Sequence, residues 1–293
     1  MSSWSTSVAT QTRRRVDRLR RREAPRLAWL ARAGYAAQGV LYATIGALAV
    51  LAAANASGVE TEAEGRTTTS RGALAEIGAA PFGRVLLVLL ALGLAGYAAW
   101  RLVQAVWNPE GEAKPGPKGL ARRAGWLGVA LVHASLVVFA LRAAIEGASG
   151  PEDQTRPLTA RVLAFAPLGP LLVLAGGVGL FAFGAYEVWR AWKVELDREL
   201  DLRRVPSGRA HALVALSRFG IAARGVVFSM MGVFLVVAAA TTDAAEARGF
   251  GEALGTFSGW TFGTVLLGAV ALGLVAYGAY DATLARYRRI RPA

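Results

Sequence analysis

The sequence predicts an all-α polytopic membrane protein: six transmembrane helices forming three parallel repeated helical hairpins, with pseudo-threefold symmetry about the membrane normal. Three observations carry this. Hydrophobic residues make up 54% of the 293 and charged residues only 18%, where an average soluble protein has about 25% charged. The charges are clustered, and the uncharged stretches between them approach or exceed the ~20 residues that cross a bilayer as a helix. One unit also recurs three times along the chain. This composition excludes an ordinary soluble globule, a disordered chain and a collagen-like fibre. With no Cys and two His, disulfide frameworks, thiolate nucleophiles and Cys-ligated metals fall away, and no cofactor is expected.

The repeat has two signatures. Arg32-Ala33-Gly34-Tyr35, Arg123-Ala124-Gly125-Trp126 and Arg218-Phe219-Gly220-Ile221 each open an apolar run. Between them lie Gly93-Leu94-Ala95-Gly96-Tyr97-Ala98-Ala99-Trp100, Gly179-Leu180-Phe181-Ala182-Phe183-Gly184-Ala185-Tyr186 and Gly273-Leu274-Val275-Ala276-Tyr277-Gly278-Ala279-Tyr280. Each of these follows a helix start at Gly83, Gly169 or Gly263. Two unrelated signatures recurring in the same order point to internal triplication. The six spans fall near 29–52, 84–107, 122–144, 168–192, 214–240 and 262–285. They group into hairpin repeats over 26–110, 118–195 and 209–290, behind a basic, disordered cytoplasmic N-terminus over 1–25. Helices are required because hydrocarbon offers backbone N–H and C=O groups no outside partner.

Orientation follows from the cations. Only Arg66, Arg71, Arg84, Arg142, Arg156, Arg161 and Arg248 fall on one side of the spans, and Arg224 lies within one. All other Lys and Arg collect at the termini and around the loops near 108–121 and 193–213. The positive-inside rule makes that side cytoplasmic, with both termini inside a plasma membrane. The net charge of +13 is therefore an orientation signal and a contact for anionic lipids on the cytoplasmic face, not a nucleic-acid footprint. Trp29, Trp100, Trp107, Trp126, Trp189 and Trp192 should mark that interface, and Trp260 and Phe262 the opposite one. Short stretches over 73–82, 160–168 and 253–262 read as interfacial half-helices before each second span.

The pattern resembles the bacterial family known as domain of unknown function 1206. That family is described as a pair of transmembrane helices occurring three times per protein, mostly in actinobacteria. The Arg-x-Gly starts and the runs ending at Trp100, Tyr186 and Tyr280 carry the match, over roughly residues 27–290. The resemblance implies architecture and transfers no functional residue.

Little of the chain looks like chemistry. Gly177-Val178-Gly179-Leu180-Phe181-Ala182 fits G-x-G-x-x-A, but it lies inside a span and lacks the strand–turn–helix setting of a dinucleotide site. Gly34, Gly39, Gly46, Gly93, Gly125, Gly179, Gly220, Gly225, Gly232 and Gly273 are expected to let helix backbones approach closely. The candidate site is polar and intramembrane. Arg101, Glu187 and Asp281 share one repeat position, Gln38 and Arg224 another, and His133 lies near mid-membrane. Arg224 is expected to pair with Asp281 of its own hairpin first and with Glu187 second. Ionisable groups within a membrane are functional candidates by default. Without a nucleophile–base pair or metal cluster, the chain is expected not to be an enzyme. Two classes remain: a structural or lipid- or partner-interacting helix bundle, and a channel or transporter using a cavity between the hairpins.

Overall fold

The computed structural model describes residues 29, 32–54, 70–108, 111, 113–147, 155–193, 208, 210–257 and 261–288. The expected N-terminal tail over 1–25 and Trp260 lie outside the described residues. Among the described residues the chain is helical, and six helices are long and apolar enough to cross a membrane. They are α1 (Arg32–Ala54), α3 (Gly83–Trp107), α4 (Pro117–Glu146), α6 (Leu168–Lys193), α7 (Ala210–Thr241) and α9 (Gly263–Tyr287). At 1.5 Å per residue, a 25-residue helix runs about 38 Å, enough for a hydrocarbon layer of about 30 Å with some tilt. Three short helices precede the second span of each repeat: α2 (Ser70–Ala79), α5 (Thr155–Leu163) and α8 (Phe250–Thr256). They are the expected half-helices, lying several residues earlier than the pattern suggested; Pro81 and Pro167 bar α2 and α5 from running on into the spans.

Two of the span-start glycines have a local job. A Cβ on Gly169 would stand 2.8 Å from the Leu163 carbonyl oxygen, and one on Gly83 would stand 2.7 Å from that of Ile77. Only glycine lets α2 and α5 fold back so tightly onto the span that follows. On the other face, Asn108 caps α3 in the left-handed region. Its amide Nδ2 donates to the Ala113 carbonyl at 2.8 Å while its Oδ1 accepts from the Ala113 N–H at 3.0 Å. This clamps the short turn into α4, which begins at Pro117, earlier than expected, because Pro is well suited to the first helical turn.

The packing follows the repeats. Gly39 and Gly46 of α1 lie against Gly278 and Val275 of α9. Gly225 and Gly232 of α7 lie against Gly184 and Gly177 of α6 in the same register. Each of these seams joins the second helix of one repeat to the first helix of the next, and α3 packs on α4 likewise. Within repeats 1 and 3, Gly34 lies on Tyr97 and Gly220 on Tyr277, while Gly93 meets Ala37 and Gly273 meets Ala223. The helices thus follow one another around the axis in the order α6, α7, α9, α1, α3, α4.

Repeat 2 departs from this. No described atom lies within 4 Å of where a Cβ on Gly125 or Gly179 would stand. These two glycines were expected to let helix backbones approach closely, and no described neighbouring helix comes close to either. α4 is held by α3 and α6 by α7, so the repeat is split across the two ends of an open ring. The tryptophans divide similarly. Trp29, Trp107, Trp189 and Trp192 are exposed, whereas Trp100 and Trp126 turn inward and are buried.

Candidate functional site

Most of the intramembrane polar residues converge on one layer inside the bundle. Gln38, His133, Glu187, Arg224 and Asp281 are all buried, and Arg101 is partly buried. Arg224 projects from α7 and its Nη2 donates to Glu187 Oε2 of α6 at 2.6 Å. Glu187 also takes Arg190, one turn along α6, at 3.2 Å. The favoured partner at the sequence level was Asp281, and the structure corrects this. The Arg224 guanidinium stacks on Tyr277, one turn before Asp281 on α9, with Cζ 4.3 Å from the ring centroid. That pose aims its donors across the glycine-lined α6–α7 seam, where the longer Glu187 side chain meets them.

The rings of Phe228, Phe183 and Tyr42 surround the same guanidinium at 5.4, 5.7 and 6.0 Å. Aromatic faces within about 6 Å attract a cation, most strongly where water is excluded. Arg101 repeats the arrangement with Tyr97, stacking at 4.9 Å and donating from Nη2 to the phenol oxygen at 2.7 Å. Its Nη1 donates to Gln104 Oε1 at 3.0 Å. His133 of α4 packs on Tyr97 with centroids 4.6 Å apart. Its Nδ1 lies 2.8 Å from the Val129 carbonyl oxygen. A carbonyl only accepts, so Nδ1 carries the hydrogen. Phe250 of α8 lies 6.4 and 5.9 Å from Tyr42 and Phe228 and covers the cluster from the half-helix side.

The pseudo-symmetry exposes one incomplete position. An added Cβ would stand 2.8 Å from the Gly278 oxygen at Gly39 and 2.7 Å from the Gly184 oxygen at Gly225. The two seams therefore share a register, so the residue before each glycine and the acid on the neighbouring helix occupy equivalent positions. At one seam these are Arg224 and Glu187, which pair. At the other they are Gln38 and Asp281, 2% and 1% exposed, and Gln38 Oε1 and both Asp281 carboxylate oxygens have no hydrogen-bond partner. Gln is shorter than Arg and Asp shorter than Glu, so the second pair does not close.

The sequence missed the aromatic partners. Tyr97, Phe183 and Tyr277 stand in the sequence only as members of the second repeat signature, and the fold shows their faces turned to the two arginines. Their recurrence at one repeat position, four residues before Arg101, Glu187 and Asp281, was the available signal. Among the described residues, no group of three or more His, Cys, Asp or Glu side chains could hold a metal. A separate cleft of about 580 Å³ opens between the start of α1 and the end of α9, lined by Trp29, Arg32, Ala36, Ala282, Arg286 and Tyr287.

A buried charged layer inside a triplicated two-helix unit defines a six-helix, multi-pass membrane bundle. The model of the family described as Domain of Unknown Function (DUF1206) matches residues 33–108, 124–194 and 219–288, and the chain belongs to that family. "Uncharacterized protein YxxB" of Bacillus subtilis (strain 168) is 31% identical over 268 residues, covering 91% of this chain and 93% of its own. No solved structure matches the chain.

Proposed function

We propose that the protein is a non-enzymatic helix bundle of the plasma membrane, working by contact with lipid or a partner rather than by turnover. The sealing of its charged layer supports this reading best. Arg224, Glu187 and Asp281 are the groups a conducting path would use, and all three are buried among rings and glycine-lined seams. The basic cleft at Trp29, Arg32 and Arg286 suits an anionic headgroup on the side carrying most of the Lys and Arg. Both termini lie on that cytoplasmic side.

A second reading is a channel or transporter. The open acceptors of Gln38 and Asp281 favour it, since a cation or a water donating to them would complete the seam. Thiol labelling separates the two readings, because the chain has no native Cys. In intact cells, an impermeant maleimide should label Glu146→Cys. In inverted vesicles it should label Gly208→Cys. Gln38→Cys should stay unlabelled in both. Labelling of Gln38→Cys from either side would mean an aqueous path and would favour the transporter, and reversed labelling of the other two would overturn the orientation.

A further inference from the structure

Small residues on a span let two backbones meet, and in this chain they come as matched faces. In repeats 1 and 3 the first-helix glycine (Gly34 or Gly220) lies on the second-helix tyrosine (Tyr97 or Tyr277). The second-helix glycine (Gly93 or Gly273) meets the first-helix alanine (Ala37 or Ala223). Repeat 2 carries both halves of the same match. The first half is Gly125 and Gly128 on α4, where Gly128 stands at the alanine position. The second is Gly179 and Phe183 on α6. Yet around Gly125, Gly128, Gly176 and Gly179 no described atom lies within 4 Å of an added Cβ. The aromatic positions agree. Phe183 is 39% exposed where Tyr97 and Tyr277 are 2% and 4%, and Tyr186 is 48% exposed where Trp100 and Tyr280 are 1% and 2%.

We infer that repeat 2 is completed by a second copy of the chain, α4 of each protomer packing on α6 of the other in the contact that repeats 1 and 3 make internally. The geometry suits this occupant over a different protein or an acyl chain. The face is already matched in shape to a helix of this chain, and each protomer supplies both halves of the match. Two copies inserted the same way and related by a twofold axis along the membrane normal keep α4 antiparallel to the partner α6, as α1 is to α3 and α7 to α9. Each copy then buries its partner's surface at two symmetric seams, the closed arrangement expected of a dimer. Small-residue faces drive this kind of association in lipid, where close packing replaces the hydrophobic effect. The partner's α4 would also cover Phe183, one of the rings around Arg224. This deepens the partner-contact reading by naming the partner.

The test is oligomeric state in lipid-rich nanodiscs, by single-molecule photobleaching of the full chain. Wild type should count as dimers. A Gly125→Leu/Gly179→Leu variant should count as monomers and remain folded, because within one copy both side chains enter open space. Gly34→Leu is the control and should destabilise the fold, because it strikes the Tyr97 backbone. Differently tagged copies carrying Gly128→Cys and Gly179→Cys separately should form an oxidised band containing both tags. Monomeric wild type, a Leu variant that stays dimeric, or cross-linking only when both substitutions share one chain would overturn the proposal. The last result would mean that α4 and α6 close on each other. None of these outcomes bears on solute flux, so the dimer and the non-transport reading fail separately.

Discussion

A Glu187→Leu variant is expected to lose about 3–5 kcal/mol of stability in mixed micelles, the typical cost of breaking a buried ion pair by removing one partner. The loss should exceed that of Arg224→Met. Without Glu187, the buried Arg224 guanidinium keeps the faces of Tyr277, Phe228, Phe183 and Tyr42 but loses its hydrogen-bonded carboxylate. Without Arg224, Glu187 still has Arg190 at 3.2 Å, on a side chain that is a quarter exposed. The double variant should cost less than the two single changes added together, because neither charge is then stranded. Equilibrium unfolding by SDS titration of the four proteins measures this. Equal single losses that add would mean that Arg224 reaches the headgroups instead of resting on Glu187.

The second large effect is expected at Gly232→Leu. An added Cβ there would stand 2.8 Å from the Gly177 oxygen and 2.7 Å from the Phe181 Cα. Both are main-chain atoms and cannot rotate away, so α6 must move as a body. Overpacking in a close-packed interior typically costs 1–3 kcal/mol, and more where backbone is struck. The shift would also pull Glu187 off Arg224, since both pairs lie on the same seam. The same denaturation assay should place Gly232→Leu well below wild type, with Gly268→Leu, in open space on α9, close to wild type. If the two glycine variants fell equally, the damage would come from the residue exchange itself and not from the seam.

How much of this was readable beforehand follows from what repeats and what does not. The six spans, the triplication and the half-helices were legible because apolar length, the Arg-x-Gly starts and the Gly-to-Trp/Tyr runs are local patterns that recur. The layer holding Arg101, Glu187, Asp281, Gln38 and Arg224 was legible as shared repeat positions. Which acid would take Arg224 was not. That depends on which helices become neighbours: the guanidinium, stacked on Tyr277, hydrogen-bonds Glu187 across the α6–α7 seam and not Asp281 on its own hairpin. The open seam was equally hidden. Gly125 and Gly179 stand in the same signature as Gly34 and Gly93, so periodicity alone assigns them the same contact. Whether a matched face is used within the chain or left free is a property of the whole ring.

The central claim is that the charged layer is a sealed structural core, and flux through reconstituted protein tests it most directly. Proteoliposomes carrying the wild-type chain should show no flux of monovalent ions, protons or small metabolites above protein-free liposomes, under an imposed gradient of either sign. Protein-dependent flux that falls when Asp281 is replaced by Asn, with the fold retained, would contradict the account and make the Gln38–Asp281 position part of a transport path.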